Sequence, residues 1–360
     1  MPIADKVINE AVERYDRERD RYLKLASRVA DLCRTAVVEN NAIRAQVTSR
    51  TKTVRSLEGK LRRFNRRSDK SFASADEVFA QIGDFAGVRI ATYRPEDEAR
   101  VAKVVDEVFC GADGGAVEVD LKDKLAPAAG QFYRATHCQV HLSENELHGN
   151  YENLRGASCE VQICSMMAHV WNEIEHDIGY KPEGEGPSDA ELGLLETLGH
   201  LTRAGDAAIT RLLAANIARM TVQTGDFADV HDFAARLRSS FPDADLSVNA
   251  GPAFDAAMIL GLSSVDKIDK ATNGAAFQPG VAAAAIEAFN VHLGEAGRPE
   301  LGLNSESADL ALIAMLQLGA TTIEETLSPS PSATRPGRLY SLARAYNHYA
   351  AKLAAAQNAA

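Results

Sequence analysis

The segment SCEVQICSMMAHVWNEIEHDIGYK, residues 158–181, changes its hydrophobic period in mid-course. From Cys159 to Ile163 apolar residues alternate with Glu160 and Gln162, the period of a strand with one polar face. From Met167 the apolar positions are Met167, Val170, Trp171, Ile174 and Ile178, which is helical spacing. A carboxylate and an amide therefore sit side by side on a strand that runs straight into a helix. A solvated edge strand explains that pattern. So does an active site whose carboxylate is aimed from a rigid element.

The surrounding sequence predicts an α+β domain over residues 44–181, with helices around a mixed or antiparallel sheet. An N-terminal region, residues 1–43, carries a long amphipathic helix over 5–40, with Val12, Tyr15, Tyr22, Leu25, Val29 and Leu32 near heptad spacing. A basic segment follows, with a helix from about Ser56 to Arg66. Further helices are expected at 76–85 and 95–109, the second with Pro95 at its start and acids in its first turn. Strands are expected at 87–93, 116–121 and 133–142, with a loop over 122–132 marked by Pro127 and Gly130. KPEGEGPSD closes the domain, and residues 182–189 read as a linker. Residues 190–360 turn Ala-rich and all-helical without a repeat period. That half suits a regulatory, oligomerisation or partner-binding region, and equally an extension that covers part of the first domain.

At 360 residues the chain has room for two domains of about 100–200 residues each. No apolar run approaches the roughly 18–20 residues that span a bilayer, and the charged N-terminus is no secretory signal. Five cysteines (Cys33, Cys110, Cys138, Cys159, Cys164), odd in number and without CxxC spacing, suit reduced thiols and a cytoplasmic location. The net charge of −11 disfavours nonspecific nucleic-acid binding. Against it stands one dense basic stretch from Arg44 to Lys70, which fits local binding of a polyanion or a solvated basic surface.

Four groups carry chemistry. In GDFAGVRI, residues 83–90, Asp84 precedes a buried strand, Gly87 permits close approach, and Arg89 stands in an apolar run where it needs a partner or ligand. Asp84 alone fits a turn or cap as well. Asp84 and Glu160, if their strands are neighbours, can share a Mg²⁺ whose coordination is completed by water and phosphates. The stretch SRTKTVRSLEGKLRR, residues 49–63, supplies guanidiniums that stack on nucleobases and ammoniums that meet phosphates. His169, Glu173 and His176 share a helical face but lack HExxH order, so a polar face supporting the neighbouring strand is expected there rather than a catalytic metal. The pairs His176-Asp177 and His231-Asp232 lack the further ligands that an HD phosphohydrolase requires.

In this order the pieces resemble the synthetase domain of the RelA/SpoT homologue family, which includes the small alarmone synthetases. The motif R-x-K-(S/T) with a following Ser and Lys is met by Arg50, Lys52, Thr53, Ser56 and Lys60. D-x-x-G-x-R-I is met by Asp84, Gly87, Arg89 and Ile90, and G-Y-R-(S/A)-x-H by Tyr133, Arg134, Ala135 and His137. E-(I/V)-Q-I followed by W-x-x-x-E-H-x-x-x-Y-K is met by Glu160, Gln162, Trp171, Glu175, His176, Tyr180 and Lys181. Cys164 and Ser165 stand where the family has Arg and Thr, and Phe132 stands where it has Gly.

The resemblance implies a nucleotidyltransferase-like mixed sheet flanked by helices, followed here by an all-α C-terminal domain. It implies transfer of the β,γ-pyrophosphate of ATP to the 3′-hydroxyl of GDP or GTP. On it, Arg50 and Arg89 sandwich adenine, while Lys52, Lys60 and Arg63 bind ATP phosphates. Asp84 and Glu160 hold Mg²⁺, with Glu160 also activating the acceptor hydroxyl. Tyr133 stacks on the acceptor base, and His137 and Gln162 line the acceptor side. Some relatives are toxins that place the pyrophosphate on the 3′ end of tRNA and are restrained by a C-terminal region. That is the main alternative, with Arg66, Arg67 and Lys70 as tRNA contacts. An inactive nucleotide-binding module is the second. The C-terminal half would then mediate homo-oligomerisation or bind a regulatory protein, and no membrane partner is expected.

Overall fold

The computed structural model describes residues 3–67, 70–123, 132–179, 187–328 and 337–359. The chain forms two compact units, one of Met1–Val38 with Ile43–Arg211 and the other of Glu39–Ala42 with Leu212–Ala360. The expected linker at 182–189 lies mostly outside the described residues, and the division between units falls farther on, inside a long helix, α6 (Asp189–Thr221).

The first unit is a five-stranded mixed sheet with flanking helices. Helix α1 (Asp5–Cys33) leads through a π-helical stretch, Arg34–Asn40, into β1 (Ala45–Thr51). The single α-helix expected to residue 40 thus ends seven residues sooner, and β1 was not anticipated. Then come α2 (Val54–Arg67), α3 (Ala75–Gln81), β2 (Ala86–Thr92), α4 (Asp97–Val108), β3 (Glu118–Asp123), β4 (Arg134–His141), β5 (Ser158–Ser165) and α5 (Met166–Gly179). Helix α3 stops short of the expected residue 85, because Ile82 is already extended (φ −98°, ψ 103°). Most of the expected loop over 122–132, including Pro127 and Gly130, lies outside the described residues.

The strand order is β1-β2-β5-β4-β3, with β2 and β5 parallel and the other pairs antiparallel. Alternation gives the sheet an apolar and a polar face. Val88, Ile90, Cys138, Val140, Cys159, Val161 and Ile163 join α1 and the valines of α4 in one core. The neighbours of these residues along each strand point the other way.

Helix α1 also fastens the backbone beneath the polar face. Tyr15 is fully buried and its hydroxyl donates to the carbonyls of Lys52 (2.7 Å) and Phe85 (3.4 Å), while the Lys52 amide donates to Phe85 O at 3.1 Å. Burial pushes the Tyr15 phenol up to about 12. One side chain thereby ties the end of β1 to the start of β2.

The second unit is helical: α7 (Val230–Leu237), α8 (Ala250–Ile259), α9 (Val265–Thr272), α10 (Pro279–Glu295), α11 (Asp309–Thr326) and α12 (Arg338–Ala359) surround a core that includes Phe233, Phe241, Phe289 and Leu312. Asp309, wholly buried, accepts hydrogen bonds from Asn249 Nδ2 (2.8 Å) and the Asn304 amide (2.9 Å). Among the described residues no helix is long and apolar enough to cross a membrane. All five cysteines are free thiols.

Tyr15→Phe removes a buried donor and leaves two carbonyls with one partner fewer. We expect a loss of about 1 kcal/mol, read as a lower urea midpoint at unchanged slope. An unchanged midpoint would show that the hydroxyl does not fasten the two strands.

Candidate active site

The polar face is organised in two rungs across the sheet. In one, Arg50 of β1 pairs with Gly87 of β2, Gly87 with Glu160 of β5, and Glu160 with Gln139 of β4. In the next, Thr48, Arg89, Gln162, His137 and Asp120 follow one another across all five strands. Four separate sequence motifs therefore meet on one surface. Asp84 lies two residues before β2, in the turn that Gln139 steadies by donating from Nε2 to Gly83 O at 3.1 Å. A Cβ at Gly83 would come within 2.5 Å of Gln139 Oε1, so this close approach uses the glycine. Gly87 is less constrained: a Cβ there would only touch the stem of Arg50, at 3.4 Å.

Asp84 is the electrostatic centre. Its Oδ2 accepts from Lys52 Nζ (2.8 Å) and Lys60 Nζ (2.9 Å). Burial alone would raise the Asp84 carboxyl, but the two ammonium groups outweigh it and hold it below its usual 3.8. Lys52 is lowered by its own burial, in spite of Asp84. Lys60 reaches Asp84 because α2 starts where it does. Thr53 caps that helix, its Oγ1 accepting from the Ser56 amide at 3.1 Å, and Lys60 lies seven residues on. Arg63 sits half-buried on α2 outside these ion pairs.

Glu160 is held from two sides. His137 Nδ1 is 3.0 Å from Oε1, and Gln162 Nε2 donates to Oε2 at 2.7 Å. A carboxylate only accepts, so His137 Nδ1 is the donor to Glu160, and the Tyr133 hydroxyl oxygen lies 2.9 Å from Nε2. Burial raises the Glu160 carboxyl and the charge of Asp84 adds to this, but His137 and Gln162 leave it below its usual range. The charge of Asp84 acts on Glu160. Among the described residues Asp84 Oδ1 is buried without a hydrogen-bond partner. A bare buried carboxylate oxygen is a fitting place for a hard divalent cation. Among the described residues no group of three or more His, Cys, Asp or Glu side chains forms a metal cluster.

Arg50 is exposed, whereas Arg89 is engaged, donating from Nη2 to Glu173 Oε1 of α5 at 2.5 Å. The His169–Glu173–His176 face therefore splits: Glu173 serves Arg89, and His176 is exposed beside Asp177. Tyr133 packs on a small cluster of Ala135, Cys164 and Ala168. The Phe132 ring lies 6.0 Å from that of Trp171, 5.0 Å from that of His200 and 4.5 Å from the Arg203 guanidinium. Tyr15 and Gln139 were missed from sequence as site residues, while Glu173 was expected on a supporting polar face without its partner being named. Of the two missed, only Gln139 left a signal, in its alternation with His137. Tyr180 and Lys181 lie outside the described residues, as do the side chains of Arg66 and Arg67.

Asp84→Asn leaves Lys52 half-hidden without its carboxylate, and we expect a loss of about 2 kcal/mol at neutral pH, measured by urea unfolding. The folded pKa of Asp84 lies below its unfolded value, so the pairing stabilises fully above pH 3.8 and is lost as pH falls through the lower folded value. The gap between wild type and variant should therefore narrow on acidification below pH 3.8, and a constant gap would contradict the pairing.

Residues 49–185 match the family described as the region found in RelA / SpoT proteins. Among solved structures, the chain is similar to small alarmone synthetase 1 from Bacillus subtilis, at 20% identity and a TM-score of 0.43 over 56% of this chain and 97% of that one. It is similar to a GTP pyrophosphokinase family protein from Streptococcus pneumoniae at 19% identity and a TM-score of 0.42, over 55% of this chain and 92% of that one. For small alarmone synthetase 2 from Bacillus subtilis the values are 22%, 0.40, 55% and 98%. No curated protein sequence matches the chain. The family match spans the four motifs and the sheet strands that bear them: the chain carries a RelA/SpoT domain at residues 49–185.

Proposed function

We propose that the chain is a pyrophosphokinase that moves the β,γ-pyrophosphate of ATP to the ribose 3′-hydroxyl of GDP or GTP, giving (p)ppGpp. The observation that carries this reading is the single polar face on which Arg50, Lys52, Lys60, Asp84, Arg89, His137, Glu160 and Gln162 assemble. The acceptor oxygen bonds to the β-phosphorus, the bond from that phosphorus to the bridging oxygen of the α-phosphate breaks, and AMP leaves. Such a step needs alignment and neutralisation of phosphoryl charge more than covalent help from the protein.

In this reading Arg50 and Arg89 take the adenine, and Lys52 and Lys60 take the phosphates, with Arg63 farther along α2. Asp84 and Glu160 are the residues to hold Mg²⁺, and the partnerless Asp84 Oδ1 supports that choice. When bound, the cation neutralises phosphate charge. Glu160 receives the acceptor proton, and His137, hydrogen-bonded to it, keeps it ionised and aimed. Tyr133, fixed through His137, faces the acceptor base, and Gln162 borders the same side.

The tRNA reading differs only in the acceptor, since a terminal ribose offers the same hydroxyl. Exposed Arg55 and Lys70 are available to a polyanion, as they are to water. Incubation with ATP labelled at the γ-phosphate, together with GDP, GTP or deacylated tRNA, separates the two. We expect label in the guanosine nucleotide, whereas label only in tRNA would replace the acceptor assigned here. Glu160→Gln is expected to reduce transfer by about 10²-fold or more while ATP binding persists. Undiminished turnover would remove Glu160 from the reaction.

A further inference from the structure

Arg89 is flanked along β2 by Val88 and Ile90, both buried, yet its side chain keeps 15% exposure on the polar face. Its partner, Glu173, comes from α5, 84 residues later, and is 48% exposed. His169, one turn earlier on α5, shares this neighbourhood: burial lowers its imidazole, and the charges of Arg89 and Arg50 add to that effect. The β1–β2 register pairs Thr48 with Arg89 and Arg50 with Gly87, so both arginines stand on the same face of the sheet, one pair apart. Cys164, where the motif resemblance calls for an Arg, also lies in the field of Arg89 and Glu173. A small neutral thiol there leaves Glu173 with Arg89 as its ion-pair partner among the described residues.

The N–H groups of a guanidinium lie in its plane, so a carboxylate bound through Nη2 grips an edge and leaves the flat faces open. An arginine without such a grip loses up to roughly 2 kcal/mol of rotamer entropy when a ligand orders it. We propose that Glu173 is a positioning residue for nucleotide binding: from α5 it holds the Arg89 guanidinium by its edge, so that a face is presented to the donor base opposite Arg50. This rests on the reading of Arg50 and Arg89 as the donor-base pair. Glu173 touches no reacting atom, and its action runs through Arg89 alone.

The test is a double-mutant cycle with Glu173→Ala and Arg89→Ala, both residues lying where truncation opens no core cavity. The readouts are the affinity for a non-hydrolysable ATP analogue, the KM for ATP, the KM for GDP, and kcat. Glu173→Ala should weaken the analogue and raise the ATP KM by about 5-fold, with kcat and the GDP KM within about two-fold of wild type. In the Arg89→Ala background Glu173→Ala should add nothing. Independent, multiplying effects would overturn the proposal. So would tighter analogue binding by Glu173→Ala, which would make the carboxylate a competitor of the base. If Arg89→Ala weakens the analogue and Glu173→Ala does not, the proposal alone falls. If Arg89→Ala leaves affinity unchanged, the donor-site reading falls with it.

Discussion

A carboxylate between two ammonium groups sets the order of the polar face. Asp84 draws Lys52 from the end of β1 and Lys60 from α2 onto one oxygen, which joins three elements at a point. Two cations for one half-buried anion leave local positive charge for phosphates. The other Asp84 oxygen has no hydrogen-bond partner among the described residues. The arrangement is costly without a ligand, since buried charge is stable only when paired. Its backbone is held from below by Tyr15, so α1 belongs to the site as much as to the core.

From that point the functional reading builds outward by register. A parallel β2–β5 pair brings Gly87 beside Glu160 and Arg89 beside Gln162, and antiparallel β1 and β4 add Arg50 and His137. Because side chains alternate, one residue of slip on any strand would send these groups into the apolar core. The valines, isoleucines and cysteines of the opposite face thus fix the register that the chemistry uses. The hydrogen-bonded chain Tyr133–His137–Glu160 ties the start of β4 to β5.

Much of this was legible in the sequence, for identifiable reasons. The turn from period two to helical spacing at Ser165 and Met166 located β5 and α5 because both periods are strong there. The valines of α4 did the same for that helix. β1 escaped because its residues are half-buried or exposed throughout, so no sharp alternation marks it, and its basic residues suggested a solvated segment. The supporting role of the Glu173 face was legible, but its partner Arg89 was not, because that residue lies on a strand 84 positions earlier and only tertiary contact joins the two. Phe132, which stands where the motif has Gly, packs among Trp171, His200 and Arg203, contacts that no local pattern signals. The all-helical character of the second unit was legible in its composition, but α8, α9 and the buried polar hub at Asp309, whose partners come from three separate stretches of chain, were not.

In the proposed function, ATP binds this polar face with its phosphates at Lys52 and Lys60 and its base between two arginines. A crystal structure of the full chain with a non-hydrolysable ATP analogue and Mg²⁺ tests this. We expect the adenine between the Arg50 and Arg89 guanidiniums, phosphate oxygens on Lys52 and Lys60, and the cation on Asp84 and Glu160. A nucleotide bound away from this face, with the Asp84–Lys52–Lys60 cluster undisturbed, would contradict it.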